Sequence, residues 1–88
     1  LELRLELAER ARALRIARNL RQADLAERSG VTLASLRRFE RDGEISLKNL
    51  MVIAIALNRA QDFDAVFAQN IETDLFRPEP KQRQRARK

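Results

Sequence analysis

The chain of 88 residues contains no cysteine, no histidine, no tryptophan and no tyrosine. Disulfides, thiol chemistry and the usual zinc ligands are therefore absent. Without histidine or tyrosine, a general base would have to be a carboxylate or a lysine. The acids are scattered, with no glycine-rich phosphate loop and no metal-ligand spacing, so the sequence predicts no enzyme, no metal and no cofactor. Long apolar runs are also missing. The longest, Leu50 to Leu57, is far shorter than the ~20 residues a spanning helix needs. Nothing at the N-terminus resembles a signal peptide. A soluble, cytoplasmic protein is the expectation.

Glycine and proline are nearly as rare, with two of each. Both prolines, Pro78 and Pro80, lie in the final segment RPEPKQRQRARK, which has no large apolar side chain. That composition predicts a basic, disordered tail over residues 77–88, following a single domain over residues 1–76. Both glycines fall where an apolar helical pattern stops. Leu25 and Ala26 mark a helical face before Gly30, and Leu33, Leu36 and Phe39 recur between it and Gly43. Gly30 suits the left-handed exit of one helix, and the Thr32 hydroxyl can cap the next, starting at Leu33. The pattern is helix, tight turn, helix, stop.

The remainder reads as helix as well. Leu3, Leu7, Ala11, Leu14 and Ala17 recur at helical spacing, which favours a helix from about Leu3 to Asn19 over the short strand that the leucine–charge alternation of Leu1 to Leu7 also permits. Ser46 is an N-cap for a helix over Leu47 to Asn58, whose centre, LMVIAIAL, is apolar on every side and is expected to be buried as the core. Asp62 is expected to cap a last helix over Phe63 to Gln69. The fold class is thus all-α, a compact bundle of about five helices.

Charge is distributed unevenly. The net value is +5, with 15 arginines against 3 lysines. Residues 1–9 carry −2, residues 10–41 carry +6, residues 42–76 carry −4 and residues 77–88 carry +5. Two basic segments flanking an acidic one suggest a face for an anionic polymer. Arginine's planar fork suits phosphate and guanine.

Helical geometry, at about 100° per residue, puts Leu36 and Phe39 on one side of the helix from Leu33, and Ala34, Arg37, Arg38 and Arg41 on the other. Alanine permits close approach to a duplex, and arginine can read guanine or grip phosphate. A solvated basic face is the plainer alternative. Leu33 could touch a thymine methyl or pack at the core's edge. Arg21, lacking a short oxygen-bearing side chain, is a poor N-cap, so its side chain is expected to be available to a phosphate.

Gln22-Ala23-Asp24-Leu25-Ala26, Gly30-Val31-Thr32, Leu36, Glu40 and Gly43 resemble the helix-turn-helix of the XRE family, the phage Cro and repressor type of DNA-binding domain, over roughly Arg15 to Leu57. The resemblance implies double-stranded DNA as partner. It implies that Gln22 donates to a phosphate, that Leu33, Ala34 and Arg38 meet base edges, and that Arg15 pairs with Glu40. Leu33 departs from the polar residue often found at its position. The full DNA-facing set is then Arg21, Gln22, Thr32, Leu33, Ala34, Ser35, Arg37, Arg38 and Arg41. The stretch Phe39-Glu40-Arg41, Gly43 to Leu47 and Asp62-Phe63 is similar to HipB-like antitoxins, which implies autorepression and a kinase-like toxin partner. A phage-type or housekeeping repressor and a helical protein-interaction module are the alternatives. Finally, a domain this small cannot easily cover Phe63, Val66, Phe67, Ile71, Leu75 and Phe76 together, so part of this set is expected to form a homodimer seam on a palindromic operator.

Overall fold

The computed structural model describes residues 2–69. It is all helical: α1 spans Glu2–Ala17, α2 Gln22–Ser29, α3 Leu33–Asp42 and α4 Leu47–Ala56, and a 3₁₀ helix covers Ala60–Ala65. α1 packs on α3, and α2 packs on both α3 and α4. None of these helices is long and apolar enough to cross a membrane.

Local chemistry sets the boundaries. Asn19 takes a left-handed φ of 59°, and the Leu20 N–H donates back to the Arg15 carbonyl at 3.1 Å, which ends α1 two residues before the sequence predicts. Gly30 (φ 81°) ends α2, its N–H donating to the Ala26 carbonyl. Gly43 is constrained twice. Its φ is 75°, and a Cβ there would lie 2.9 Å from the Arg4 Cβ and 3.0 Å from the Arg4 backbone, so a side chain would push α1 away from the end of α3. The Thr32 and Ser46 hydroxyls cap α3 and α4, accepting from the N–H groups of Ser35 and Asn49, each at 3.1 Å.

Phe39, Leu25, Leu36, Ile53 and Leu57 are the large side chains at the centre of the core, with Ala8, Leu20, Ala26 and Val31 around them. Each such side chain contributes about 1.5–3 kcal/mol on burial. The core therefore draws on every α-helix, and α3 gives it only one face.

Two expectations are corrected. α4 is not surrounded by protein: Leu47, Met51 and Ile55 are exposed, while Ile53 and Leu57 are buried. Residues at i, i+4 and i+8 form one stripe, and among the described residues nothing packs over this one. A helix apolar on every side does not reveal which side the fold covers. The last helix also differs. Asp62 does not cap a helix over Phe63 to Gln69; its carboxylate accepts from Arg59 Nε and Nη2 at 3.2 and 3.1 Å. The 3₁₀ turn ends at Ala65, and Phe67, at φ 59°, is 99% exposed.

Candidate nucleic-acid interface

The buried face of α3 fixes the orientation of its other face. With Leu36 and Phe39 in the core, Ala34, Arg37, Arg38 and Arg41 are exposed together. Leu33 is half-buried: part of its side chain packs against the core and part stays at the surface beside Ala34. Thr32 and Ser35 bracket the first turn: the Thr32 hydroxyl accepts the Ser35 N–H and donates to Ser35 Oγ at 2.9 Å.

A three-residue network sets how α3 sits on its neighbours. Glu40 Oε2 accepts from Arg15 Nε at 2.8 Å, and Glu40 Oε1 accepts from Arg15 Nη2 at 3.1 Å. Their side chains are only 10% and 5% exposed. The third Arg15 nitrogen, Nη1, donates to the Leu20 carbonyl at 2.8 Å. Gln22 Nε2 also donates to Glu40 Oε1, at 2.9 Å. The carboxylate thus accepts from α1 and α2 at once. The fork matches guanidinium to carboxylate and fixes angle as well as distance. Because Gln22 opens α2, its remaining amide hydrogen and the unsatisfied backbone N–H groups of that first turn are together at one corner of the exposed surface.

The surface arginines differ in their partners. Arg21 is not available in the way its sequence position suggests: Asp24 accepts from its Nε and Nη2 at 3.2 and 3.1 Å, and from its backbone N–H at 2.8 Å. Asp24 is the third residue of α2, so its carboxylate makes the half of a capping box that reaches back to the N-cap N–H of Arg21. Hydrogen bonds from the Arg21 side chain, then from its backbone, hold the Asp24 carboxyl below its ordinary range. Arg41 is likewise forked onto Asp42 at 3.0 and 2.9 Å, and this bonding lowers the Asp42 carboxyl. Among the described residues Arg37 and Arg38 have no carboxylate within salt-bridge distance. Both present their full guanidinium fork to solvent beside Ala34.

The structure adds residues that the sequence did not single out. A polar cleft of about 270 Å³ lies beside α3, lined by Ser35, Arg38, Glu44, Ile45, Ser46 and Asn49. Ser46 is legible as a helix cap, but its position next to Arg38 follows only from the turn at Gly43. Of the residues expected at the dimer seam, Phe63 is half-buried and Val66 and Phe67 are exposed. Ile71, Leu75 and Phe76, like the tail over residues 77–88, lie outside the described residues.

The family comparison covers this same region. A family model described as helix-turn-helix matches residues 12–60, which include the whole of α2, α3 and α4. No match is found among curated proteins or among solved structures. With more than half of its length matched, and with the spacing and capping of α2 and α3 set out above, the chain belongs to the XRE-type helix-turn-helix family of DNA-binding transcription regulators.

Proposed function

We propose that this protein is a sequence-specific transcriptional repressor that binds a palindromic operator in double-stranded DNA as a homodimer. The observation that carries this reading is the pair Arg37 and Arg38, exposed beside Ala34 on a helix whose opposite face is locked into the core. Leu33, Ala34 and Arg38 lie toward base edges in the major groove, where an arginine fork reads guanine O6 and N7. Gln22, Thr32, Ser35 and Arg37 approach phosphates, which fix register without reading sequence. Arg21 and Arg41 join them by exchanging an exposed carboxylate for a phosphate. The pairs they leave are exposed and screened by solvent, so the exchange is easy.

A single short recognition helix reads few base pairs, so a useful operator needs two. A two-fold dimer would set two copies of α3 about 34 Å apart on half-sites ~10 base pairs apart. The exposed apolar side chains Met51 and Ile55 of α4, with Val66 and Phe67 after it, support a self-complementary seam. Analytical ultracentrifugation with and without the selected operator tests this. A dimer on DNA is expected, and a monomer both free and bound would contradict it.

Within this reading the similarity to HipB-like antitoxins makes autorepression of a toxin operon the specific role. Purification of the protein with its neighbours from the native operon is the test. Recovery of a kinase-like protein in stoichiometric amount is the expected result, and recovery of the repressor alone would reduce the reading to a repressor without a toxin.

A further inference from the structure

The exposed arginines of the candidate DNA face fall into two kinds. Arg37 and Arg38 are open within the described residues, whereas Arg21 is forked onto Asp24 and Arg41 onto Asp42. Asp24 has a structural duty besides this pairing, because it also accepts the Arg21 N–H at the start of α2. Asp42 has no such duty. It is the last residue of α3, where the free carbonyls of the helix disfavour an acid, and it is exposed. Among the described residues its carboxylate bonds only to Arg41, accepting from Nε at 3.0 Å and from Nη2 at 2.9 Å.

The place of this acid is unusual for a surface that binds an anionic polymer. Asp42 follows Arg38 by four residues, so the two are neighbours on the helix surface. Bonds from Arg41 first, then the charges of Arg41 and Arg38, hold the Asp42 carboxyl below its ordinary range. An ionised carboxylate thus stands within the basic face of α3. A phosphate that reaches Arg41 needs the same guanidinium donors that the two Asp42 oxygens already occupy, and carboxylate and phosphate suit that fork equally well. One must leave for the other to enter.

We infer that Asp42 is an intramolecular competitor of the DNA phosphate: it occupies the Arg41 guanidinium in the free protein and yields it on binding, which lowers affinity for every duplex alike. Arg38, which is not held in this way, is left to decide among sequences. Binding to any sequence depends chiefly on phosphate contacts, and weakening one of them acts mostly through faster release. The protein then leaves wrong sites sooner. This inference rests on the DNA-binding reading of α3, and the test below separates the failure of one from the failure of the other.

Asp42→Asn removes the charge and keeps the shape, while Glu9→Gln removes the same charge from an exposed residue of α1. Binding of the full chain is measured at fixed salt on the selected operator and on a scrambled duplex. The proteins are the parent, these two variants, Arg41→Ala, and Arg41→Ala with Asp42→Asn. Asp42→Asn should bind both duplexes more tightly by a similar factor, about two- to fivefold per bound protomer, the range set by exposed ion pairs. Glu9→Gln should gain clearly less. In the Arg41→Ala background, Asp42→Asn should gain no more than Glu9→Gln does, since the two residues act as a coupled pair. Asp42→Ser should repeat the gain of Asp42→Asn, and both should melt at or above the parent temperature, because each relieves the helix C-terminus of an acid. A gain no larger than that of Glu9→Gln would overturn the inference and reduce Asp42 to net charge. A gain that survives intact without Arg41 would overturn it as well, making Asp42 a plain repeller of phosphate. A parent that binds neither duplex would end the DNA-binding reading together with the inference; a parent that binds, with Asp42→Asn unchanged from it, would end the inference alone.

Discussion

Arg15 and Glu40 meet as a forked ion pair across 25 residues of sequence, at 2.8 and 3.1 Å, with both side chains nearly buried. Through it α1 holds the last turn of the recognition helix, and through Gln22 the same carboxylate holds the first residue of α2. The angle at which Arg37 and Arg38 face solvent therefore depends on a contact that none of the exposed residues makes.

Removing one partner of this pair strands a buried charge. Arg15→Ala should destabilise the domain by about 3–5 kcal/mol. Arg15→Met combined with Glu40→Leu should cost less than the sum of the single changes, because no charge is then left behind, although Gln22 loses its partner. Urea denaturation of the parent, Arg15→Ala, Arg15→Met, Glu40→Leu and the double variant measures this. A cost for Arg15→Ala below ~1 kcal/mol would place the pair with exposed surface bridges instead.

The cap at the start of α2 gives a pH signature. Arg21 holds the Asp24 carboxyl below its ordinary value, so the native state favours the ionised form. That stabilisation is fully present above the ordinary aspartate value of ~3.9 and is lost as pH falls through the lowered native one. Asp24→Asn should therefore be less stable than the parent at pH 7 and match it once both are acidified. Thermal melts across that range decide it, and a difference that persists in acid would assign Asp24 another role.

Gln22 is expected to grip DNA without reading it. Gln22→Ala should weaken binding to cognate and scrambled duplexes by a similar factor. Titration of both duplexes measures the two factors. A loss confined to the cognate duplex would make Gln22 part of the readout.

The tail from Arg77 to Lys88 carries +5, while residues 1–76 sum to zero. If these cations meet DNA, each phosphate contact releases counterions. Deleting Lys81 to Lys88 should leave melting temperature and sequence preference in place, and make the slope of log K against log salt shallower by roughly one unit per lost contact. An unchanged slope would confine the DNA contacts to residues 10–41.

Much of the fold is legible in the sequence because it is punctuated locally. Gly30, Thr32, Gly43 and Ser46 each act within a few residues: α2 and α3 end at the two glycines, and α3 and α4 start where the two hydroxyls predict. Arg15–Glu40 spans 25 residues, and nothing in local spacing indicates it; only the family resemblance implies the pair. The Gln22–Glu40 bond is not legible in the sequence, since an amide with several donors and acceptors does not announce which it uses. Arg21 misled for a related reason: its poor capping chemistry is real, but the acid three residues on captures it. The exposed stripe on α4 was hidden because uniform apolarity carries no direction. The face of α3 was plain, its apolar and basic residues being separated by the helical period itself.

The most direct test of the central claim, that the exposed face of α3 reads sequence, is Arg38→Ala. Selection of duplexes from a random pool by the parent protein first defines the preferred site, and binding of parent and variant is then measured on that site and on a scrambled one at fixed salt. The variant should lose ~1–3 kcal/mol on the preferred site and markedly less on the scrambled one, so that the ratio between them falls. An unchanged ratio would contradict the account: Arg38 would then be one more cation on a basic surface.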